Sequence, residues 1–459
     1  MPTPSLATLE QLRAVLARGL ASANELAAAL EVSVPTLHRL LSRLADATVS
    51  AGKARRARYA LVRPLRGERS TLPVYAVDTA GQAHPTSQLV PLRPEGSWMD
   101  LAGTPWPVPD NARDGWWPGL PYPLQQMRPQ GYMGRQFAQV EHKALAVSPN
   151  PLEWSDDDVL FVMSQRGTDL SGNLIVGDAA CEQWLAAKAA AVEPLPEADI
   201  GDGYVALAGH AIAAGVAGSS AAGEFPKFTA RRTLAGSATP HVLVKFSGTE
   251  RSAAVRRWSD LLVCEHLASE HAAALPGVVC ARSRVLVHGG RTFLEVERFD
   301  RHGAFGRSPL CALDVLNAEL IGESTMEWPR LMARLAALDL VTPEDEIRVQ
   351  HLWWYGRLIG NTDMHTGNLS FRPEQGRLAL APLYDMLPMR YAPLAGGEVP
   401  ERELSPVLPL PGQRPVWLGA CAAAIAFWRA AAADRRIGKD FRAMCAGNAD
   451  ELMRLRDRL

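Results

Sequence analysis

The chain opens with leucines at helical spacing. Leu9, Leu12 and Leu16 recur every three or four residues and predict an amphipathic helix. Ser22 and Ser33 each stand where a helix N-cap is expected, so two more helices follow closely. The apolar stripe of the third predicted helix consists of Leu37, Leu40, Leu41 and Leu44.

A basic hairpin follows these helices. The Gly52–Arg58 turn lies between two short apolar segments, and three helices followed by such a hairpin are the order of a winged helix-turn-helix. From Thr36 to Ser70 nine Lys or Arg residues stand against two acids, a balance suited to DNA phosphates. A helical dimerisation module with a solvated basic face is the alternative. The residues expected to contact DNA are Thr36, His38, Arg39, Arg43, Lys53, Arg55, Arg56 and Arg58.

Short apolar segments broken by Pro and Gly fill the middle of the chain. Val74–Val77, Leu89–Leu92 and Val159–Met163 predict strands, the last of them buried. The acidic, proline-bearing stretch Glu193–Asp202 predicts a boundary. The predicted domains are residues 1–70, 71–200 and 201–459.

Composition is that of an ordinary globular protein. The 459 residues carry a net charge of −1 at pH 7, so contact with nucleic acid must come from a local patch. The six cysteines include no Cys-x-x-Cys pair, which argues for a reducing compartment and against a zinc site. The chain lacks a signal-sequence pattern, and the apolar stretch Ala420–Trp428 is too short to span a bilayer. We therefore expect a cytoplasmic protein without membrane contact.

Candidate nucleotide-binding residues begin in the second half of the chain. The small residues of Gly218–Gly223 permit a backbone nest around phosphates, although such a stretch alone is more often a surface loop. Lys245 lies within the predicted strand Pro240–Phe246, as does the kinase lysine that contacts the α- and β-phosphates. A lysine snorkelling at a sheet edge is the alternative. The candidate carboxylate partners of Lys245 are Glu250, Asp260 and Glu265, and helix periodicity does not choose among them.

The most informative pattern lies further on. Asp363 and Asn368 are five residues apart, and Asp385 follows about twenty residues later. In protein kinases the first Asp of this order positions the acceptor hydroxyl, while the Asn and the second Asp hold Mg²⁺. An Asx-rich turn with a capping histidine is the structural alternative. With Lys245 upstream, the pattern predicts phosphoryl transfer that uses ATP and Mg²⁺.

The segments Ile359–Ser370 and Leu380–Asp385 strongly resemble the HipA-type serine/threonine kinases of bacterial toxin–antitoxin systems. Three further segments resemble the same family: Met127–Gly131, Ser220–Lys227 and Glu297–Asp300. The resemblance begins near Leu72, and the winged helix before it is similar to the YjjJ-like branch, in which a DNA-binding domain is fused to the kinase. The fold that this implies is α+β, with a winged helix-turn-helix followed by a HipA-like two-lobed, protein-kinase-like fold.

The resemblance implies a role for each matching residue. Asp363 would be the catalytic base. Asn368 and Asp385 would be the Mg²⁺ ligands, and Lys245 would hold the α- and β-phosphates. The other residues expected at the nucleotide are Ala222, Gly223, Glu224, Phe225, Pro226, Lys227, Glu297, Arg298, Phe299, His365, Thr366, Gly367 and Tyr384.

Two positions in this set have a second aspect. Ser220 falls where the family has an autophosphorylated serine that silences the enzyme, and Ser219 is an alternative acceptor. His365 is expected to order its loop by a hydrogen bond, because no second His or Cys stands at zinc-ligand spacing.

The resulting hypothesis is a serine/threonine protein kinase with a fused DNA-binding domain, acting as a growth-inhibiting toxin or stress regulator. One alternative is a small-molecule kinase of the aminoglycoside or choline type. Another is a transcriptional regulator whose kinase-like domain only senses ATP. The expected partners are a protein substrate of unknown identity and DNA. Winged-helix proteins often read two half-sites, which is compatible with a homodimer. The sequence leaves open whether a separate antitoxin exists.

Overall fold

Three helices and a three-stranded sheet form the N-terminal unit in a computed structural model, which describes residues 8–68, 71–213 and 225–459. Ser22 and Ser33 accept hydrogen bonds from the backbone at the starts of the second and third helices, so both predicted caps are confirmed. Leu12, Leu26 and Leu37 are fully buried in its core. The elements are α1 (Leu9–Leu16), β1 (Ala21–Ser22), α2 (Ala23–Ala29), α3 (Val34–Arg43), β2 (Thr48–Ala51) and β3 (Arg58–Leu61), with strand order β1-β3-β2.

The N-terminal unit is fixed to the part of the chain that follows it. Arg63 pairs with Asp157 at 2.7 Å, and Arg66 pairs with Asp158 at the same distance. The Arg66 guanidinium also lies 4.2 Å from the centre of the Phe161 ring. Apolar side chains from both parts form one small cluster, which contains Val49, Ala60, Val62, Val90, Leu92, Trp98 and Trp116. These contacts hold the unit in one orientation.

The middle unit is an antiparallel sheet with strand order β7-β6-β5-β4-β8 and four helices. Its elements are β4 (Leu72–Val77), β5 (Ala83–Pro91), β6 (Ser97–Trp98), β7 (Trp116–Trp117), α4 (Tyr122–Gln125), α5 (Gly131–Leu145), α6 (Asp156–Arg166), β8 (Leu174–Val176) and α7 (Asp178–Ala190).

The predicted strand at Val159–Met163 is wrong, because these residues lie in α6. A continuous apolar run does not distinguish a buried strand from a buried helix. The residues before it decide the outcome. Ser155 and Asp158 form a capping box, and three consecutive aspartates occupy the first turn, where the helix dipole favours negative charge.

The C-terminal unit begins with an antiparallel four-stranded sheet, in the order β11-β12-β10-β9. One face of this sheet packs on α8 through Tyr204, Phe228, Phe246 and Phe293. The elements up to this point are α8 (Ile200–Ala213), β9 (Lys227–Arg231), β10 (His241–Phe246), α9 (Ala253–Ala272), β11 (Ser283–His288) and β12 (Arg291–Glu297).

The rest of the C-terminal unit is mainly helical. Its elements are β13 (Arg301–His302), β14 (Gly306–Arg307), β15 (Cys311–Ala312), α10 (Leu313–Leu316), α11 (Trp328–Ala337), α12 (Pro343–Leu358), β16 (Ser370–Glu374), β17 (Arg377–Leu380), α13 (Arg414–Ala433) and α14 (Lys439–Arg458). Strands β16 and β17 form a hairpin that leads into Asp385. The side chains of α9, α11, α12, α13 and α14 share one large core with the middle unit.

Helix α13 is longer than the apolar stretch read from the sequence. Among the described residues, the helical segment Pro411–Ala433 alone is long and apolar enough to cross a membrane, with a mean hydropathy of 1.5. Half of its apolar window is nevertheless buried within the chain. Trp417 and Trp428 are fully buried, and the Trp428 indole donates to the Leu358 carbonyl of α12. These contacts are those of a core helix.

Candidate active site

The loop that follows α12 is fixed on both sides of Asp363. Asn361 is buried, and its side-chain oxygen accepts a hydrogen bond from the Asp363 backbone N–H at 3.0 Å. The side-chain amide of Asn368 donates to the Asp363 carbonyl, also at 3.0 Å. Both bonds involve the Asp363 backbone, so these two bonds fix the position of Asp363 in the loop without using its carboxylate.

A second loop, after β17, brings Asp385 to the first. The Tyr384 hydroxyl donates to the Gly367 carbonyl at 2.8 Å and shares a hydrogen bond with Ser370. The Asn361 amide reaches the Asp385 carbonyl at 3.5 Å. Asp385 itself has φ = +55°, a conformation that few non-glycine residues adopt. Such backbone strain persists where the surrounding structure holds it, commonly at functional sites.

Lys245 joins this pair of loops to the sheet. Its ammonium lies 2.7 and 2.9 Å from the two carboxylate oxygens of Glu265 on α9 and also contacts the Asp385 carboxylate. Lys245 and Glu265 are only 4% and 3% exposed, whereas 29% of the Asp385 side chain is open to solvent. The three side chains therefore form a buried ionic cluster with one accessible end, which we call the Lys245 cluster.

The Lys245 cluster has one cation for two carboxylates, and their pKa values separate accordingly. Burial raises the pKa of Glu265 to about 7, since Lys245 offsets only part of that cost and the Asp385 charge adds to it. Burial would also raise the pKa of Asp385, but the positive charges of Lys245 and Lys227 outweigh it and hold that pKa at about 2. The two carboxylates raise the pKa of Lys245 despite its burial.

The structure resolves which acid pairs with Lys245. Of the three candidates, Glu265 makes the contact. Asp260 instead accepts a hydrogen bond from the Gly438 backbone at 2.8 Å, and its burial raises its pKa to about 6. Position on the helix decides this, because Glu265 lies on the side of α9 that faces β10.

The predicted phosphate loop is described only at its end. Phe225 is buried with its ring centre 5.9 Å from the Lys245 ammonium and packs edge-on against Trp258. The Pro226 carbonyl accepts a hydrogen bond from the Phe246 backbone of β10, and Lys227 is directly opposite Lys245 in the sheet. Ser219, Ser220, Ala222, Gly223 and Glu224 lie outside the described residues.

The three consecutive residues Glu297, Arg298 and Phe299, which are expected at the nucleotide, separate into two groups. The Phe299 ring lies 5.6 Å from the Tyr384 ring, and its carbonyl accepts a hydrogen bond from Arg372 at 2.6 Å. The side chains of Glu297 and Arg298 are engaged elsewhere. Glu297 accepts from Arg232, while Arg298 pairs with two aspartates, at 2.9 and 3.1 Å. Neither side chain is therefore free for a nucleotide, and the backbone N–H groups of the two residues donate to the Arg282 and His241 carbonyls.

His365, Thr366 and Gly367 form the turn between Asp363 and Asn368. The His365 carbonyl accepts hydrogen bonds from the Asn368 backbone and from the Trp328 indole. Hydrogen bonds at His365 thus order the loop, and their acceptor is the backbone carbonyl. No group of three or more His, Cys, Asp or Glu side chains suited to a metal occurs within the part of the chain that the structure describes.

Basic residues of the N-terminal unit lie mostly on its surface. His38, Arg39 and Arg43 are exposed on α3, and the Arg39 guanidinium donates to the Thr36 hydroxyl at 3.1 Å. In the hairpin, Lys53, Arg55 and Arg56 are exposed and Arg58 is half-buried. Arg56 also lies 3.7 Å from Asp114 of the middle unit. This basic surface is therefore open except at Arg56.

Sequence reasoning missed several residues near the site. Asn361 lies within the segment Ile359–Ser370 but was given no role, although its side chain links both loops. Arg357 and Arg390 lie with Asp363 in the wall of one cavity but are far apart in sequence. A polar residue directly after a helix end was a usable signal for Asn361. No sequence pattern connects the two arginines.

Comparisons with known proteins agree with the resemblance drawn from the motifs. Residues 68–185 match the family described as YjjJ-like toxin, middle domain, and residues 219–436 match the HipA-like C-terminal domain. Toxin YjjJ of Escherichia coli (strain K12) is 36% identical over 453 residues, which cover 98% of this chain and 99% of that protein.

Solved structures add a likeness of fold. HipA of Shewanella oneidensis MR-1, solved with HipB and its operator DNA, superposes with a TM-score of 0.50 at 15% identity, over 84% of this chain and 97% of that one. The proinflammatory kinase CtkA of Helicobacter pylori matches 50% of this chain and 88% of its own, with a TM-score of 0.35 and 12% identity. The extent of the match to Toxin YjjJ places this chain in the family of YjjJ-like toxins, with a HipA-like C-terminal domain.

Proposed function

We propose that the chain is a serine/threonine protein kinase that uses ATP and Mg²⁺ and acts as a growth-inhibiting toxin or stress regulator. The observation that carries this proposal is the Lys245 cluster next to the Asp363 loop. A lysine, a helix glutamate, an aspartate at a loop start and an Asp/Asn loop are the parts that protein kinases need together for phosphoryl transfer. Here they meet through direct contacts.

The residues present fit a magnesium ion. Mg²⁺ prefers a few carboxylate or amide oxygens together with phosphate oxygens. The Asn368 amide nitrogen donates to the Asp363 carbonyl, so its oxygen is the end suited to a metal, and the Asp385 carboxylate is partly exposed. When Glu265 is ionised, the Lys245 cluster also has one negative charge more than its cation balances, which favours a bound cation. When bound, Mg²⁺ would neutralise charge on the transferred phosphate.

The chain's own residues would do the remaining work by position and charge. Asp363 would orient the acceptor hydroxyl and take its proton. The two hydrogen bonds to its backbone would keep its side chain in position for this. Lys245 would turn from Asp385 towards the α- and β-phosphates. Phe299 and Tyr384 would border the adenine, whose polar edge would meet the backbone near Glu297. Ser220 remains the predicted site of autophosphorylation.

One labelling experiment distinguishes the proposed kinase from the two alternatives. Purified protein is incubated with [γ-³²P]ATP and host lysate, with Mg²⁺ or with EDTA, and in parallel with aminoglycosides and choline. We expect label in protein bands, on serine or threonine, only with Mg²⁺. Label confined to small molecules would indicate the first alternative. Tight ATP binding without turnover would indicate an ATP-sensing regulator.

We further propose that the N-terminal unit is a winged helix that binds DNA while joined to the kinase in one chain. Its exposed basic residues on α3 and on the hairpin support this, since the recognition helix and wing are the elements that contact DNA in this motif. The HipA structure from Shewanella oneidensis contains operator DNA together with HipB. In the present chain the DNA contact would be built in, and the fixed junction at Arg63 and Arg66 would place the kinase beside it.

Charge reversal in the hairpin tests DNA binding. Arg55→Glu combined with Arg58→Glu should weaken binding to all sequences and make the slope of log K against log salt shallower by about 2, because each lost phosphate contact removes about 0.9. Fluorescence anisotropy at several salt concentrations measures the slope. Arg334→Glu, an exposed arginine of α11 in the C-terminal unit, is the control. An unchanged slope would contradict the role of the hairpin, and Arg39→Ala should instead relax sequence choice.

A further inference from the structure

A cavity of about 490 Å³ opens beside the Asp363 loop. Asn361, Thr362, Asp363 and His365 form one side of it. Lys245 and Asp385 do not line it, so it is separate from the Lys245 cluster, where the nucleotide is proposed to bind. An acceptor approaching Asp363 from this side would occupy the cavity, which we call the acceptor cavity.

Two arginines contribute positive charge to the acceptor cavity. Arg357, near the end of α12, is exposed and lies 5.6 Å from the centre of the Trp353 ring. Arg390 donates through its Nε to the Glu403 carbonyl. Within residues 8–68, 71–213 and 225–459, neither guanidinium forms a salt bridge with a carboxylate. Asp363 is the one carboxylate among the described lining residues, so the wall has a net positive charge.

Five apolar side chains also line the wall. Its apolar side chains are Met326, Trp353, Met364, Leu404 and Val407. A nucleic-acid strand carries a charge on every nucleotide and would need a longer basic track than two arginines. A polypeptide segment offers what this wall matches, namely an apolar side chain and a single acidic group close to the acceptor hydroxyl. Two guanidiniums suit such a carboxylate because they bind it through paired hydrogen bonds.

We infer that the acceptor cavity selects protein acceptors in which the serine or threonine is flanked by aspartate or glutamate, bound by Arg357 and Arg390. This deepens the proposed kinase function and depends on it. In the transfer, the acceptor oxygen bonds to the γ-phosphorus of ATP and the bond from that phosphorus to the β,γ-bridging oxygen breaks. ADP leaves, and the hydroxyl proton passes to Asp363.

The test compares matched peptides with full-length protein. Each peptide carries one serine and one apolar residue, and the flanking positions are either Glu or Lys. We expect the wild type to favour the Glu peptides by about tenfold to a hundredfold in kcat/KM, the range expected for a charged hydrogen-bonded pair. Arg357→Glu combined with Arg390→Glu should reverse the preference. Arg454→Glu, on α14 and 64% exposed, is the matched control and should keep it.

The ratio between the two peptides separates recognition from folding, because a variant that is merely damaged loses rate on both. An absent preference in the wild type, or one that survives in the double variant, overturns the inference. If lysate proteins are labelled while the peptides show no discrimination, the inference fails and the kinase proposal stands. If ATP labels neither peptides nor proteins, both fail. Strong competition by RNA but not by the Glu peptide would likewise reject a protein acceptor.

Discussion

Replacing Asp363 with alanine should lower phosphoryl transfer by about 10²- to 10⁴-fold, the range for loss of a positioned acid–base group. The Asp363 backbone N–H and carbonyl make the hydrogen bonds to Asn361 and Asn368, and both survive the substitution. The loop should therefore keep its shape. We expect unchanged ATP affinity and thermal stability together with loss of ³²P incorporation.

Two companion variants make the result specific. Asp363→Asn keeps the size of the side chain but cannot accept the proton, so it should be about as inactive as the alanine variant. Asp110→Ala removes an exposed carboxylate of the middle unit and should behave as wild type. Normal incorporation by Asp363→Ala would show that another group positions the acceptor, and the assignment would be wrong.

The order of the candidate catalytic and metal-binding residues was predictable, because these residues lie close together along the chain. Asp363, Asn368 and Asp385 lie in two loops joined by one hairpin, so local sequence was enough to bring them together. The partner of Lys245 was not predictable. Choosing Glu265 over Asp260 requires the rotation of α9 against β10, which tertiary packing sets.

Other misses have physical reasons of the same kind. The apolar run at Val159–Met163 looked like a strand because burial on all sides hides the helical period. The engagement of Glu297 and Arg298 by other charged side chains comes from parts of the chain that sequence spacing does not relate. The acceptor cavity is a surface formed by four separate segments, which no motif describes. The domain boundaries and the roles of the site residues stay predictions.

Substituting Lys245 with methionine should strongly destabilise the folded protein. It removes the cation of the Lys245 cluster and leaves Glu265 and Asp385 without their shared partner. Breaking a buried ion pair in this way costs about 3–5 kcal/mol in the free energy of unfolding. ATP binding should weaken as well, because the proposed phosphate ligand is lost. Urea unfolding at pH 7 and ATP titration measure the two effects.

The pH dependence identifies which carboxylate responds. Because the pKa of Glu265 is raised in the folded protein, the contribution of Glu265 to stability is complete at pH values below its ordinary pKa. That contribution is lost as the pH rises through about 7. The lowered pKa of Asp385 has the opposite effect. The contribution of Asp385 to stability is present at pH values above its ordinary pKa and is lost as the pH falls towards about 2. In Lys245→Met the contribution of Asp385 disappears, and the free energy of unfolding of this variant should be lower at pH 8 than at pH 5.

A second substitution tests this explanation directly. Adding Glu265→Gln to Lys245→Met removes one of the two unbalanced carboxylates, so the double variant should regain part of the lost stability and lose most of its decline between pH 5 and pH 8. Lys143→Met, on the exposed surface of α5, should change neither. If the double variant is less stable than Lys245→Met, the loss comes from packing rather than charge. Because Lys245, the proposed phosphate ligand, is still missing from the double variant, we expect recovery of stability without recovery of phosphoryl transfer.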